Sequence, residues 1–394
     1  MGNIKKCINY LKDPALVARF QRFFGVVRLG NQQEESVVFT PAENGEWKTN
    51  GSVVLKRDDG DHRITNKFWF YLFFLGTYLG DEIGYSIIIP FFIWNIDSAI
   101  GRKMVLVWAI VMYIGQSIKD IIQWPRPACP PVVRLQKKWS VEYGMPSTHA
   151  MISIALPFSV LHYISNRYQI DYTIAIGLAL VWCVLITLSR LYLGMHTVLD
   201  IIAGLLLATV LLIPFVPIAD ILDRFLMYFK WTPLVLLTTT VLLILVYPTG
   251  DQWTPTKGDT SLILGTCAGI LTGGWLLVTL GIQNEYRALN PTNNHVDWPS
   301  LKDIGMIVIR SGLGYACIAV SFLIVKYVFV VVDVLLTKCG VTVTDSNLNR
   351  HIAVLDNTYK YLTFYLVSGV TIFVIPLLQR ELHVQRLSFY NEAK

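Results

Sequence analysis

Charge is what this sequence is shortest of. Only 15% of its 394 residues are Asp, Glu, Lys or Arg, against roughly a quarter in an ordinary soluble domain. A chain so poor in charge cannot cover a water-facing surface of its own size, which argues against a large soluble core of buried helices. Paired cysteine spacing is missing as well. The six cysteines, at 7, 129, 183, 267, 317 and 339, suggest neither a disulfide framework nor a zinc motif. Cys183, Cys267 and Cys317 lie in apolar runs, where a thiol packs as a small hydrophobe. No cluster looks like a metal site, and no repeat or low-complexity linker interrupts the chain. The N-terminus lacks an early apolar core with a cleavage site, so no removable signal peptide is expected. The net charge of +6 is dispersed; it suits contact with a membrane surface and gives no sign of nucleic-acid binding.

What the chain has in abundance is apolar length. Hydrophobic residues make up 54% of it, gathered from residue 68 onward in runs of about 17 to 25, each long enough to cross a bilayer as a helix. Helices satisfy their own backbone groups in lipid, so the expected fold is an all-α, polytopic integral membrane bundle. The spans read as 68–96, 104–122, 150–164, 173–188, 198–217, 231–247, 260–282, 304–332 and 361–379, nine in all. Asp81 and Glu82 fall in mid-run in the first. A lipid-facing helix does not tolerate them cheaply, so they face the bundle interior or mark a break. Residues 1–67 are polar. Within them Leu16, Phe20, Phe23, Phe24 and Val27 fall near helical spacing beside Arg19, Arg22 and Arg28, which fits a short helix on the lipid surface or a hydrophobic cluster in a loose tail.

Three polar stretches interrupt the apolar pattern. In "GQSIKDIIQWPRPACPP", Lys119 and Arg126 stand seven apart, on one face of a helix if it continued, while Pro125 and Pro127 end that helix. Alone, these cations could merely anchor a span. In "EYGMPSTHAM", Pro146-Ser147-Thr148-His149 opens the third span. A helix N-terminus is a ready anion site, Ser147 can cap it or donate its hydroxyl, and His149 could titrate near neutral pH. In "SRLYLGMHTVLDIIAG", Arg190 is a third cation, and His196 and Asp200 are four apart on one helix face. A carboxylate on one ring nitrogen leaves the other as a nucleophile or base.

Parity joins these pieces. They follow span two, precede span three, and connect spans four and five, so threading each helix once puts all of them at one membrane face. Three cations, two histidines, a serine and an acid then gather as an anion site with a nucleophile, an acid and an orienting carboxylate.

Lys-x6-Arg-Pro, Pro-Ser-x-His and Ser-Arg-x5-His-x3-Asp together resemble the signature of the type 2 phosphatidic acid phosphatase family, whose fold is shared with vanadium-dependent haloperoxidases. The motifs cover residues 119–200. The resemblance implies a catalytic membrane core over 68–217, a polar N-terminal segment 1–67, and additional transmembrane helices with a short tail over 218–394. It also implies roles: His196 attacks phosphorus to give a phosphohistidine, with Asp200 orienting it; His149 protonates the departing alkoxide and then activates water. Lys119, Arg126, Arg190, Ser147 and the amides near Thr148 hold the phosphate oxygens. No metal or other cofactor is implied. The chain departs from the pattern at Thr148, where the family most often has glycine. "YGMPSTHAM", "TLSRLYLGMHTVLD" and "WPRP" followed by "PPVVRLQKKWSVEYG" look like the sphingosine-1-phosphate phosphatases. That likeness implies a multi-pass enzyme of the endoplasmic reticulum acting on sphingoid base phosphates, with the site facing the lumen and a lipid phosphate drawn from the bilayer as its partner.

Other readings remain open at this point. A broader lipid phosphatase would act on phosphatidic acid or a polyprenyl phosphate. A transporter would line a midplane cavity with Asp81, Glu82 and Arg310. A sphingoid substrate carries an ammonium that a carboxylate could pair with; Asp120 and Glu142 flank the motifs, and Glu142 is the candidate. Lys56, Arg57, Arg63 and Lys67 favour a cytosolic N-terminus by charge, whereas nine spans and a lumenal site put it in the lumen; a sequon at Asn50 offers a check. Oligomeric state is not legible.

Overall fold

The computed structural model describes residues 2–28, 62–136, 139, 141–248, 255–282, 300–338 and 348–386, so the Asn50 sequon lies outside the described residues. Two short helices, α1 (Gly2–Leu11) and α2 (Pro14–Phe23), lead into a small antiparallel pair, β1 (Val26–Arg28) with β2 (His62–Ile64). The bundle follows: α3 (Lys67–Gly80), α4 (Glu82–Asn95), α5 (Ser98–Ile122), α6 (Thr148–Ser165), α7 (Tyr172–Tyr192), α8 (Val198–Tyr228), α9 (Thr232–Val246) and α10 (Thr256–Thr279). Then come α11 (Leu301–Lys338), α12 (Leu348–Gly369), a π-helical segment Val370–Val374 and α13 (Ile375–Glu381).

Side-chain caps set several starts: Asp97 accepts the amides of Ala99 and Ile100, and Asp171 those of Thr173 and Ile174, each filling donors a helix leaves open. The first apolar run is not one rod. It breaks at Asp81, and α3 and α4 meet at 61°, so the mid-run acid sits at a break and also points into the bundle. The core is centred on α5 and α10, around Ile100, Met104, Trp108, Ile270 and Leu271. Gly265 and Gly269 let α10 lie against α12, since an added Cβ would come within 2.4 Å of the Tyr361 carbonyl and 2.1 Å of the Ser368 hydroxyl. Small residues serve helix contacts in lipid in this way.

By length and composition six described helices can cross a membrane, and the α3–α4 pair makes a seventh. The chain is a multi-pass membrane protein. Against the nine spans expected, α6 and α9 fall short of that measure. Thr148, His149, Ser153, Ser159 and His162 dilute α6, and the 15 residues of α9 extend about 22 Å against a hydrocarbon core of about 30 Å. Even so, α9 leads back to the end where α5 finishes, because the Tyr247 and Thr256 hydroxyls both donate to Asp120, at 2.7 and 2.6 Å. Asp120 is thereby spent on joining helices.

The N-terminal apolar cluster does not rest on lipid alone. Val17, Ala18 and Gln21 are buried against the bundle, and Phe24 meets Trp69 and Phe73 edge to face.

Candidate active site

α5 ends at Ile122 and Gln123 closes it in the left-handed region, so Lys119 and Arg126 share no continued helix face. They converge instead on Glu142. Lys119 Nζ lies 2.9 Å and Arg126 Nη2 3.4 Å from Glu142 Oε2. Arg126 also donates through Nε to the Glu142 carbonyl and through Nη1 to the Met195 carbonyl, both at 2.8 Å. Glu142 is therefore not an open carboxylate awaiting an ammonium. It occupies the cations a phosphate would use, and an arriving anion has to compete with it.

His196 stands on the turn between α7 and α8. Gly194 makes that turn with φ +67°; a side chain there would collide with the Val133 carbonyl. Arg126 Nη1 lies 3.4 Å from His196 Nε2. A guanidinium only donates, so Nε2 is the lone-pair nitrogen and Nδ1 carries the proton. Nδ1 is 3.9 Å from Asp200 Oδ2, too long for the hydrogen bond the sequence leads one to expect. Asp200 is engaged elsewhere: it accepts the Thr197 amide at 2.7 Å while Thr197 accepts the Asp200 amide, a reciprocal cap on α8. Burial, reinforced by Arg126, Arg190 and Lys119, holds the His196 imidazole well below its ordinary range, so it is neutral through physiological pH. Burial draws Arg126 down to about 10, still protonated at neutral pH. For Glu142 burial alone would raise the carboxyl, but Lys119 and Arg126 outweigh it and the net shift is downward.

His149 enters on the first turn of α6, capped by Ser147, whose side chain accepts the Ala150 amide. Its Nε2 lies 2.7 Å from Asp81 Oδ1, at the α3–α4 break. Gln136 donates to the same carboxylate at 3.5 Å and accepts from Arg190 at 3.3 Å. Lys119, Arg126, Thr148, His149 and His196 thus line one pocket, together with Asp81, Glu82, Glu142 and Asp259. Ser147, Arg190 and Asp200 stand behind its wall, fully buried. Asp81 is the functional partner that motif reading missed, although an acid in mid-span was its signal. Arg310, the third residue of the transporter reading, is apart from the pocket and donates to Asn95 and to the Val384 carbonyl. Among the described residues no group of His, Cys, Asp or Glu is placed to hold a metal ion.

Chemically, the pocket offers an anion two cations, a neutral imidazole beside them, and a second imidazole backed by a carboxylate. Residues 101–224 match the PAP2 superfamily. The chain is 36% identical over 316 residues to sphingosine-1-phosphate phosphatase 1 of Mus musculus, covering 80% of this chain and 72% of the relative. Against sphingosine-1-phosphate phosphatase 2 of Mus musculus it is 39% identical over 266 residues, 68% of each. Against that of Homo sapiens it is 31% identical over 395 residues, 94% of this chain and 97% of the relative. No solved structure matches the chain. With a superfamily match that contains all three motifs and relatives alike over most of both lengths, the chain belongs to the PAP2 superfamily and, within it, to the family of the sphingosine-1-phosphate phosphatases.

Proposed function

We propose that this protein is a lipid phosphate phosphohydrolase acting on sphingosine 1-phosphate and related sphingoid base phosphates through a phosphohistidine. The observation that carries the reading is the meeting, in one pocket, of the His196 lone-pair nitrogen with Arg126 and Lys119 and of His149 with Asp81. Phosphate monoesters hydrolyse extremely slowly unaided, and fixed positive groups around the transferring oxygens are the main remedy.

In the first step His196 Nε2 bonds to phosphorus as the bond from phosphorus to the alkoxide oxygen breaks, and His149 gives that oxygen its proton. His149 then takes a proton from water, whose oxygen attacks the phosphohistidine; inorganic phosphate leaves and His196 is restored. Lys119 and Arg126 hold the phosphate oxygens after displacing Glu142, assisted by the amides at the start of α6 around Ser147 and Thr148. Arg190 acts from behind through Gln136 and Asp81, and Asp200 steadies the protonated Nδ1 as the ring gains charge.

The catalytic core is residues 68–217, with 1–67 as an N-terminal segment and 218–394 as added helices. The proposed setting is the endoplasmic reticulum membrane with the pocket open to the lumen, the expectation that the motif resemblance carries.

Phosphate release by the purified protein tests the reading, comparing sphingosine 1-phosphate with phosphatidic acid in the wild type and His196→Ala. Release favouring the sphingoid lipid and lost in the variant is expected. Equal release from both lipids means a broad lipid phosphatase, and release that survives in His196→Ala removes the nucleophile assignment.

A further inference from the structure

One wall of the pocket comes from a helix that the phosphate chemistry does not need. α10 lies outside the matched residues 101–224, yet it contributes Asp259, Leu262 and Ile263 to the pocket lining. Spaced i, i+3 and i+4, these residues share one helix face, a carboxylate followed by an apolar stretch. The helix is fixed in place. Thr260 donates to Gln116, one turn before Lys119 on α5, Thr256 donates to Asp120 at 2.6 Å, and Gly265 and Gly269 seat its other side on α12. Asp259 itself is 16% exposed; Lys360 Nζ is 4.0 Å from its Oδ1 but nearer to Asp356, at 3.1 Å.

A carboxylate facing a phosphate pocket works against binding unless the ligand also brings a cation, since like charges brought together weaken binding. The other lining carboxylates have roles of their own. Asp81 backs His149, and Glu142 bridges the two cations, while Glu82 begins α4, where a helix N-terminus favours an acid. The phosphatase steps above assign nothing to Asp259, which faces the pocket with the apolar Leu262 and Ile263 following on the same helix face. The ligand that fits is one with an ammonium close to the phosphate and an alkyl chain leading away.

We propose that α10 is the selectivity wall of the site: Asp259 pairs with the ammonium beside the substrate's phosphate, and Leu262 and Ile263 receive the first carbons of its chain. Preference for amine-bearing lipid phosphates then resides in the helices that follow the superfamily core. This inference rests on the phosphatase reading above and replaces Glu142 as the ammonium partner.

The test uses the purified full-length protein and two phosphate monoesters, sphingosine 1-phosphate and hexadecyl phosphate, which lacks the amine. The readout is the ratio of their kcat/KM values. Asp259→Asn is expected to lower that ratio about tenfold, the scale of one hydrogen bond between charged groups, with Asp259→Glu restoring most of it. An unchanged ratio in Asp259→Asn overturns the proposal, whether or not both rates fall together. A measurement on the wild type needs no variant: sphingosine 1-phosphate against its N-acetyl derivative, which keeps the chain but loses the charge. Equal kcat/KM for these two also overturns it. If the wild type hydrolyses none of these lipids, the phosphatase reading fails first, and the two failures are told apart.

Discussion

Asp81 would be expensive in the middle of an apolar run if nothing met it. His149 meets it at 2.7 Å, and Gln136 adds a second contact. In the proposed mechanism that pairing bears first on the departure of the alkoxide, because a negative partner favours the protonated imidazole that must give its proton to the leaving oxygen. Asp81→Asn keeps the hydrogen bond and removes the charge. It is expected to lower kcat on sphingosine 1-phosphate by about tenfold or more, and to lower it much less on a long-chain substrate with an aryl leaving group, which departs without a proton. Equal losses on both would reduce Asp81 to a structural role. At this scale the motif histidines and cations were legible because their types and spacings carry the chemistry. Asp81 was legible only as an anomaly, since its partner is 68 residues away. Glu142 departs from the ammonium-pairing role expected of it for a similar reason: nothing local in the sequence shows the two cations that fold onto it.

Helix ends do the positioning at the next scale. Lys119 sits on the last turn of α5, His149 on the first of α6, His196 just before α8, and Asp81 in the break between α3 and α4. Ends are where backbone donors stay open and where a chain can turn. Pro125, Pro127 and the Pro146-Ser147 pair advertised them in the sequence. The docking of α2 was not advertised, because its contacts span more than a hundred residues. Gln21 is buried to 1%; it donates to the carbonyls of Val133 and Tyr192 at 2.6 and 2.9 Å and accepts the Val133 amide at 3.0 Å. Val133 lies on the loop that carries Glu142 and Tyr192 ends the helix that leads to His196, so α2 ties together the two segments that reach the pocket. Gln21→Ala leaves these buried backbone groups without their partner, at about 1–3 kcal/mol for each. The expected result is a lower thermal midpoint in detergent and a lower kcat, with the sphingoid preference retained. An unaltered midpoint and rate would show that α2 is not a brace.

Over the whole molecule the bundle has two unlike ends. One carries the pocket, with α1 and α2 beside it; Lys12 lies 5.8 Å over the Trp124 ring, two residues from Arg126. The other is held by ion pairs, Arg102 with Asp223 at 2.8 Å, Arg167 with Asp97 at 2.5 Å and Lys103 with Asp220, and adds exposed Arg224 and Lys230. The sequence left the N-terminus in conflict, its four cations before the first span favouring the cytosol and the count of spans favouring the lumen. The fold couples the question to the site, since an N-terminus bonded to the segments that line the pocket cannot lie across the membrane from them. It also supplies cations at the far end, which a tally of the N-terminal flank alone passes over and which the positive-inside tendency would place in the cytosol. Cys7 on α1 is exposed and reports the side directly. In a variant keeping Cys7 as its sole cysteine, within sealed microsomes, a membrane-impermeant maleimide is expected to label it only after detergent opens the vesicles. Labelling before detergent would put the N-terminal segment on the cytosolic side. Because α2 is bonded to the loops that carry Arg126 and His196, that result would carry the pocket with it and reverse the proposed lumenal site.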